Sequence, residues 1–298
     1  MIKLLITGAN GQLGKCLTSY LKWHKLDIEY TALDLPDFNI SDSAHVKKYV
    51  EEGNYDYVIN CAAYTNVNQA LTDENTAILA NGYGPKLLAE ACKKTKTRLI
   101  HISTDYVFDG SPETKTESSV PAPVNTYGRT KLLGDNEIIT AAKDGELEYM
   151  IFRTSWLYSE YGNNFVKTII NKLKNMEEIK VVDDQYGSPT YAGDLAKAIV
   201  DIILENKFVT GIYNFSNMGI ITWYDFAYGI YQFYREIMKE QGIVTTAFIS
   251  PCKTSEFPSP VERPKFGILS KDKVINTLGI SIKHWTVPLK NVVEKLTY

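Results

Sequence analysis

Tyr127-Gly128-Arg129-Thr130-Lys131 places a phenol and an ammonium at Y-x-x-x-K spacing. On a helix, positions i and i+4 share one face, one turn apart. A phenol with an ordinary pKa of about 10 is a poor acid or base at neutral pH. A neighbouring ammonium favours the phenolate and draws that value toward the working range. The chain has 20 tyrosines, so chance meets this spacing easily and the surroundings must decide. Upstream, Ser103-Thr104-Asp105-Tyr106-Val107-Phe108 closes an apolar run. A Thr104 hydroxyl at a strand end could bond a substrate carbonyl, or simply cap a turn. Thr104, Tyr127 and Lys131 together suit the reduction of a carbonyl.

Such a reduction needs a hydride source, and the N-terminus supplies a place for one. Gly8-Ala9-Asn10-Gly11-Gln12-Leu13-Gly14 reads G-x-x-G-x-x-G, between the apolar run Lys3 to Thr7 and a helix-like stretch, Lys15 to Trp23. Glycines there permit unusual dihedrals and let a pyrophosphate approach main-chain N–H groups. The helix N-terminus adds partial positive charge. The alternative is a tight strand–helix turn, but the context favours a dinucleotide. Asp34 ends the next strand signal, 20 residues beyond Gly14. A carboxylate there can accept ribose hydroxyls, which favours NADH over NADPH without deciding between them.

The elements that carry these residues alternate. Strands are expected at Lys3 to Thr7, Ile28 to Leu33, Tyr57 to Asn60, Arg98 to Ser103 and Tyr149 to Thr154. Helices are expected at Ser43 to Val50 (capped by Asp42 or Ser41), Thr76 to Lys94 and Thr126 to Lys143. This alternation predicts an α/β fold with a doubly wound parallel sheet of the Rossmann type. Later signals are less regular: helices at Asn164 to Asn175, Ala192 to Glu205 and Trp223 to Gln241, with a strand at Ile179 to Val182. Ser250 to Pro264 holds four prolines and reads as a loop. The expected division is a cofactor-binding domain over residues 1–156. Residues 157–298 form mainly a smaller, interleaved α/β substrate domain, with segments returning to the Rossmann core.

Composition bounds the partners. The chain has 298 residues, 44% of them hydrophobic, and a formal net charge of -3. Global disorder is excluded, and no general attraction to nucleic acid or anionic membrane is expected. Cysteines 16, 61, 92 and 252 form no CxxC pair, and the four histidines show no metal-ligand spacing, so no metal is expected. No apolar run approaches the roughly 18 to 20 residues of a membrane helix, and glycine arrives too early for a signal peptide. The reading is a soluble, cytoplasmic protein acting on a small molecule. His101 reads as a satisfied core histidine.

The glycine turn, Asn60 to Thr65, Asn81, Thr104 and Tyr127 with Lys131 resemble the extended short-chain dehydrogenases/reductases. More narrowly, Ser103 to Phe108, Phe152 to Trp156, Gly162 to Phe165, Asp184 to Thr190 and Thr222 to Tyr224 resemble the dTDP-4-dehydrorhamnose reductase family. The resemblance implies reduction of the 4-keto group of dTDP-4-dehydro-L-rhamnose by NADPH or NADH. It makes Tyr127 the proton donor and has Lys131 hold the nicotinamide ribose and lower the tyrosine pKa, with Thr104 positioning the carbonyl. Gly11, Gln12, Leu13, Asp34, Asn39, Ile40, Ala63, Tyr64 and Thr65 match positions lining the cofactor. Asp105 and Trp156 match positions touching the dTDP-sugar. Trp223 reads equally as core or as ligand contact. Arg263 is either a diphosphate clamp or a solvated arginine. Asn39 stands where family members often carry aspartate. Lys15-Cys16 and Gly193 replace carboxylates that hold a bridging magnesium in some members, which leaves monomer or homodimer open. Two other readings are a related nucleotide-sugar epimerase or reductase, and a non-catalytic NAD(P)-binding regulatory subunit. The latter could dispense with the tyrosine–lysine pair, which this chain keeps.

Overall fold

In the computed structural model, which describes residues 1–175 and 177–297, the short apolar runs pair into one parallel sheet. Its strands are β1 (Ile2–Thr7), β2 (Ile28–Leu33), β3 (Tyr57–Asn60), β4 (Arg98–Thr104), β5 (Tyr149–Thr154) and β6 (Gly211–Asn214). They lie in the order β6-β5-β4-β3-β1-β2, every neighbouring pair parallel. The larger helices are α1 (Gln12–His24), α2 (Gly84–Thr95), α3 (Thr126–Ala141), α4 (Phe165–Asn175), α5 (Ala192–Leu204), α6 (Trp223–Glu240), α7 (Asp272–Leu278) and α8 (Thr286–Thr297).

Alternation along the strands builds two cores. Leu4, Ile6, Ile59, Ile100 and Phe152 face α1 and α5, whereas Leu5, Val58, Leu99 and Ile151 face α2. Each such fully buried side chain contributes about 1.5–3 kcal/mol relative to exposure. A third cluster joins α4, α6 and α8 to a parallel ribbon of Glu178–Val182 and Phe248–Cys252. The order reverses between β1 and β3, so a crevice opens where their carboxyl ends diverge, the usual ligand position in doubly wound sheets.

The ribbon corrects the expectation of a loop over Ser250 to Pro264. Pro251 lies within the strand Phe248–Cys252, opposite Val181. In a two-stranded ribbon each strand has an open edge, where a missing N–H breaks no ladder. Asp42, not Ser41, caps the helix Ser43–Val46, accepting from Ala44 and His45 N–H. The predicted helix over Thr76 to Lys94 is helical but loosens to a π turn at Leu79–Tyr83. Pro85, just beyond it, has no N–H to continue the regular ladder.

Candidate active site

The site begins where β1 hands over to α1. Gly8 has φ +61°, and a Cβ there would lie 2.5 Å from the Ala62 nitrogen after β3. Only glycine lets the two strand ends meet so closely. Gly11 leads into α1 without any side-chain cap, leaving first-turn N–H groups to be met by something else. A floor without side chains under uncapped N–H donors fits the pyrophosphate of a dinucleotide. Asp34 stands at the rim: its oxygens accept the Asn10 N–H at 2.8 Å and the Leu35 N–H at 2.7 Å. Each oxygen keeps a lone pair for a ribose hydroxyl.

Other expected cofactor contacts separate into backbone and side chain. The Gln12 amide oxygen is held by Ser159 at 3.1 Å and Asn164 at 3.0 Å, which leaves its main chain as the part free at the turn. The side chain of Asn39 folds onto Ser41, and Ile40 is buried in the core. Leu13 likewise packs inward. Ala63, Tyr64 and Thr65 follow β3, where Asn81 holds Tyr64 by both its N–H (2.8 Å) and its carbonyl (3.0 Å). The same Asn81 amide reaches Thr130 on α3 at 3.1 Å. It thus ties the segment after β3 to the Tyr127 helix.

Helix α3 is set against the sheet by its start and its small residues. Asn125 caps it, accepting the Gly128 N–H at 2.9 Å, and also donates to the Glu262 carbonyl at 2.9 Å. A Cβ at Gly134 would lie 2.1 Å from the Asn81 carbonyl, so the helix can pack this tightly only with glycine there. Tyr127 is half-buried, its ring edge-on to Tyr106 at 5.5 Å. Thr104, at the end of β4, donates to Asp105 at 3.0 Å and stands beside the Tyr127 phenol.

One expectation needs correction. Lys131 is not what governs the Tyr127 pKa here. Burial raises it, Asp105 reinforces that, and the Thr104 hydroxyl opposes it. The Lys131 Nζ is engaged by the Ile102 carbonyl at 2.7 Å and by His101 at 3.3 Å. Burial brings the Lys131 pKa down to about 8 against the pull of Asp135, and lifts Asp105 to about 7.

Beside this group lies a cleft of about 920 Å³, bordered by Phe165, Lys172, Lys180, Trp223, Arg263 and Lys265 among others. Its walls do not include Thr104 or Tyr127. Arg263 makes the junction, with Nη2 3.4 Å from Asn68 and its guanidinium beside the Tyr106 hydroxyl. Four cations against the carboxylates of Asp109 and Glu262 suit an anionic ligand. Trp156 sits behind this wall. It holds a left-handed φ of 47°, stacks on Trp223 at 3.7 Å and presses on Gly187. Of the two tryptophans, Trp223 lines the cleft.

Sequence reasoning missed Asn125, Asp135, Arg153, Lys172, Lys180 and Lys265. Asp135 had a signal, standing four residues beyond Lys131 on the same helical face. The lysines had none, because solvated lysines are common on any surface.

Comparison with known proteins bears on the whole chain. The family described as the RmlD substrate binding domain matches residues 2–298. A dTDP-4-dehydrorhamnose reductase of Aggregatibacter actinomycetemcomitans is 35% identical over 297 residues, covering 98% of each chain. The crystal structure of a dTDP-4-dehydrorhamnose reductase from Clostridium acetobutylicum superposes with a TM-score of 0.90 at 38% identity, covering 100% of both chains. One from Bacillus anthracis, in complex with NADP, gives 0.87 at 36% identity, covering 99% of this chain and 100% of that one.

Proposed function

The chain belongs to the RmlD substrate binding domain family, and from that premise we propose that it reduces the 4-keto group of dTDP-4-dehydro-L-rhamnose to dTDP-L-rhamnose with NADPH or NADH. The observation that carries this reading is Thr104 beside the Tyr127 phenol at the carboxyl end of β4, where a glycine cradle and a cationic cleft adjoin.

The nicotinamide supplies a hydride when bound. Gly8, the α1 N-terminus and Asp34 would hold its dinucleotide, with the loop at Ala63, Tyr64 and Thr65 alongside. Thr104 orients the substrate carbonyl oxygen. Tyr127 gives its proton to that oxygen as charge develops there. Its raised pKa suits this direction, because the group must arrive protonated. The Lys131 ammonium then supports the phenolate that remains. Arg263, with Lys172, Lys180 and Lys265, engages the diphosphate, and Trp223 packs on the sugar nucleotide. Asp105, buried beside Thr104, offers a further contact to the sugar. Most of the remaining acceleration comes from holding donor and carbonyl in register.

The purified chain, supplied with keto-sugar generated in place and with NADH or NADPH, should oxidise one of them and form dTDP-rhamnose. Silence with both, despite measurable cofactor binding, would contradict the proposal. Two variants probe its parts. Asp34→Ala is expected to weaken NADH about tenfold more than NADPH, the scale of one hydrogen bond to a charged group. Fluorescence titration checks this, and an equal loss would remove the ribose role. Arg263→Met should raise KM for the keto-sugar by about tenfold or more while kcat changes little. Steady-state kinetics with an unchanged KM would return Arg263 to a solvated loop residue.

A further inference from the structure

Lys131 is gripped by a buried run of polar groups that the mechanism above does not use. Asn60 Oδ1 accepts the Thr7 hydroxyl at 2.7 Å and the Ala62 backbone N–H at 3.1 Å. The Ala62 N–H can only donate, which orients the amide. Asn60 Nδ2, with only hydrogens to offer, therefore faces His101 Nδ1 at 3.0 Å. His101 Nδ1 must carry a lone pair, and the neutral ring bears its hydrogen on Nε2. An imidazolium would set two donors against each other. Nε2 lies 3.3 Å from Lys131 Nζ and 4.0 Å from Asp135 Oδ1, a buried oxygen with no hydrogen-bond partner among the described residues.

We propose that His101 is a positioning residue for Lys131: Asn60 locks its ring as the Nε2–H tautomer, and that N–H, turned toward the lysine nitrogen and the Asp135 carboxylate, loosens the lysine's hold on its proton. The inference rests on the reading of Lys131 as partner to Tyr127. A donor aimed at an ammonium repels it, whereas it bonds the lone pair of an amine. Asp135 pulls the other way, its charge favouring the ammonium. The groups facing Lys131 are His101 and the Ile102 carbonyl from β4, with Asp135 from α3; Tyr127 stands one turn back on the same helix. Arg153 from β5 pairs with Asp135 at 3.2 Å, and Ser103 lies beside that carboxylate. Burial works on the lysine in the same direction as the donor, and together with Lys131 it holds the His101 pKa well below the ordinary value, so the ring stays neutral. Activity should accordingly fall on the alkaline side with a midpoint at about 8.

The tautomer can be read without turnover, by nitrogen-15 NMR of the full chain labelled in its four histidines, with His101 assigned from the signal lost in His101→Gln. The expected result is a protonated Nε2 and a bare Nδ1, constant between about pH 5.5 and 9, across the interval where an ordinary histidine titrates. An Nδ1–H ring, or one that titrates normally, would overturn the proposal while leaving the reductase reading intact. Conversely, a chain that fails to reduce the keto-sugar yet shows this tautomer would fail the reductase reading alone. The second readout is the pH profile of kcat. His101→Gln offers the lysine an amide acceptor in place of a donor. Asn60→Asp moves the ring hydrogen to Nδ1 and turns the Nε2 lone pair on Lys131; its added charge acts in the same direction. Both variants should move the alkaline limb up by about one pH unit. A limb unmoved in folded His101→Gln, whose merely structural effects would lower the rate without shifting the profile, contradicts the tuning role.

Discussion

Tyr127→Phe is expected to turn over the keto-sugar at least about 100-fold more slowly than the native chain, within the roughly 10²- to 10⁴-fold range typical of a positioned general acid. The substitution removes one oxygen from a ring that packs edge-on to Tyr106 at 5.5 Å, a contact phenylalanine keeps. Thr104 still donates to Asp105, and the Tyr106 N–H still bonds Thr104, so the strand end keeps its shape. Cofactor affinity should therefore change little while kcat falls, which separates lost proton donation from lost binding. Near-normal turnover would remove Tyr127 from the reaction, and a large loss of cofactor binding with kcat preserved would assign it a structural part instead.

Arg153→Met is expected to lower stability at neutral pH by about 3–5 kcal/mol, the scale for leaving a buried charge without its partner. Arg153 and Asp135 are both nearly inaccessible and lie 3.2 Å apart. The guanidinium also covers the ring of Phe108 at 5.2 Å. Burial already raises the Asp135 pKa, with Arg153 and Lys131 restraining it. A folded-state pKa above the unfolded one means that the folded chain binds the proton more tightly. Stability then falls as pH rises from the ordinary carboxylate range through the folded value. Removing Arg153 extends that interval upward, so the variant's deficit should be greatest on the alkaline side and shrink on acidification. Urea unfolding across pH would show this. A small, pH-independent loss would mean that Asp135 is not charged in the native chain. Replacing both partners by apolar residues should recover much of the deficit.

The parts of this molecule that were legible in sequence are those where one local rule governs. Strands β1, β3 and β5 are short apolar runs buried on both faces, and the glycine turn follows a buried strand directly, so period and position agree. Strand β6 was not legible, because Gly-Ile-Tyr-Asn is four residues with no clear alternation and becomes a strand only beside β5. Helices α7 and α8 were also unmarked; Asp272–Leu278 is barely two turns, ended by Gly279 in the left-handed conformation. Pro251 misled because the ban on proline applies to strand interiors and not to open edges.

The site divides in the same way. Tyr127 and Lys131 are visible because helical spacing puts them on one face. The partners of Lys131 are not, because His101 and Ile102 come from β4 and are brought to it only by sheet packing. Burial was the part that spacing could not convey. It reverses the expected direction for Tyr127, with Asp105 reinforcing it and only the Thr104 hydroxyl opposing. Trp156 illustrates a further limit: it matches a position that touches the sugar, and only the packed structure reveals that Trp223 already occupies one of its faces.

Hydride delivery to carbon 4 of the sugar is the central claim, and isotope transfer tests it most directly. The keto-sugar would be turned over with a reduced nicotinamide cofactor bearing deuterium on the transferred face, and the product examined by proton NMR. The expected product is dTDP-rhamnose with deuterium at C4 and no hydrogen signal there. A product carrying ordinary hydrogen at C4, or deuterium elsewhere on the ring, would contradict it.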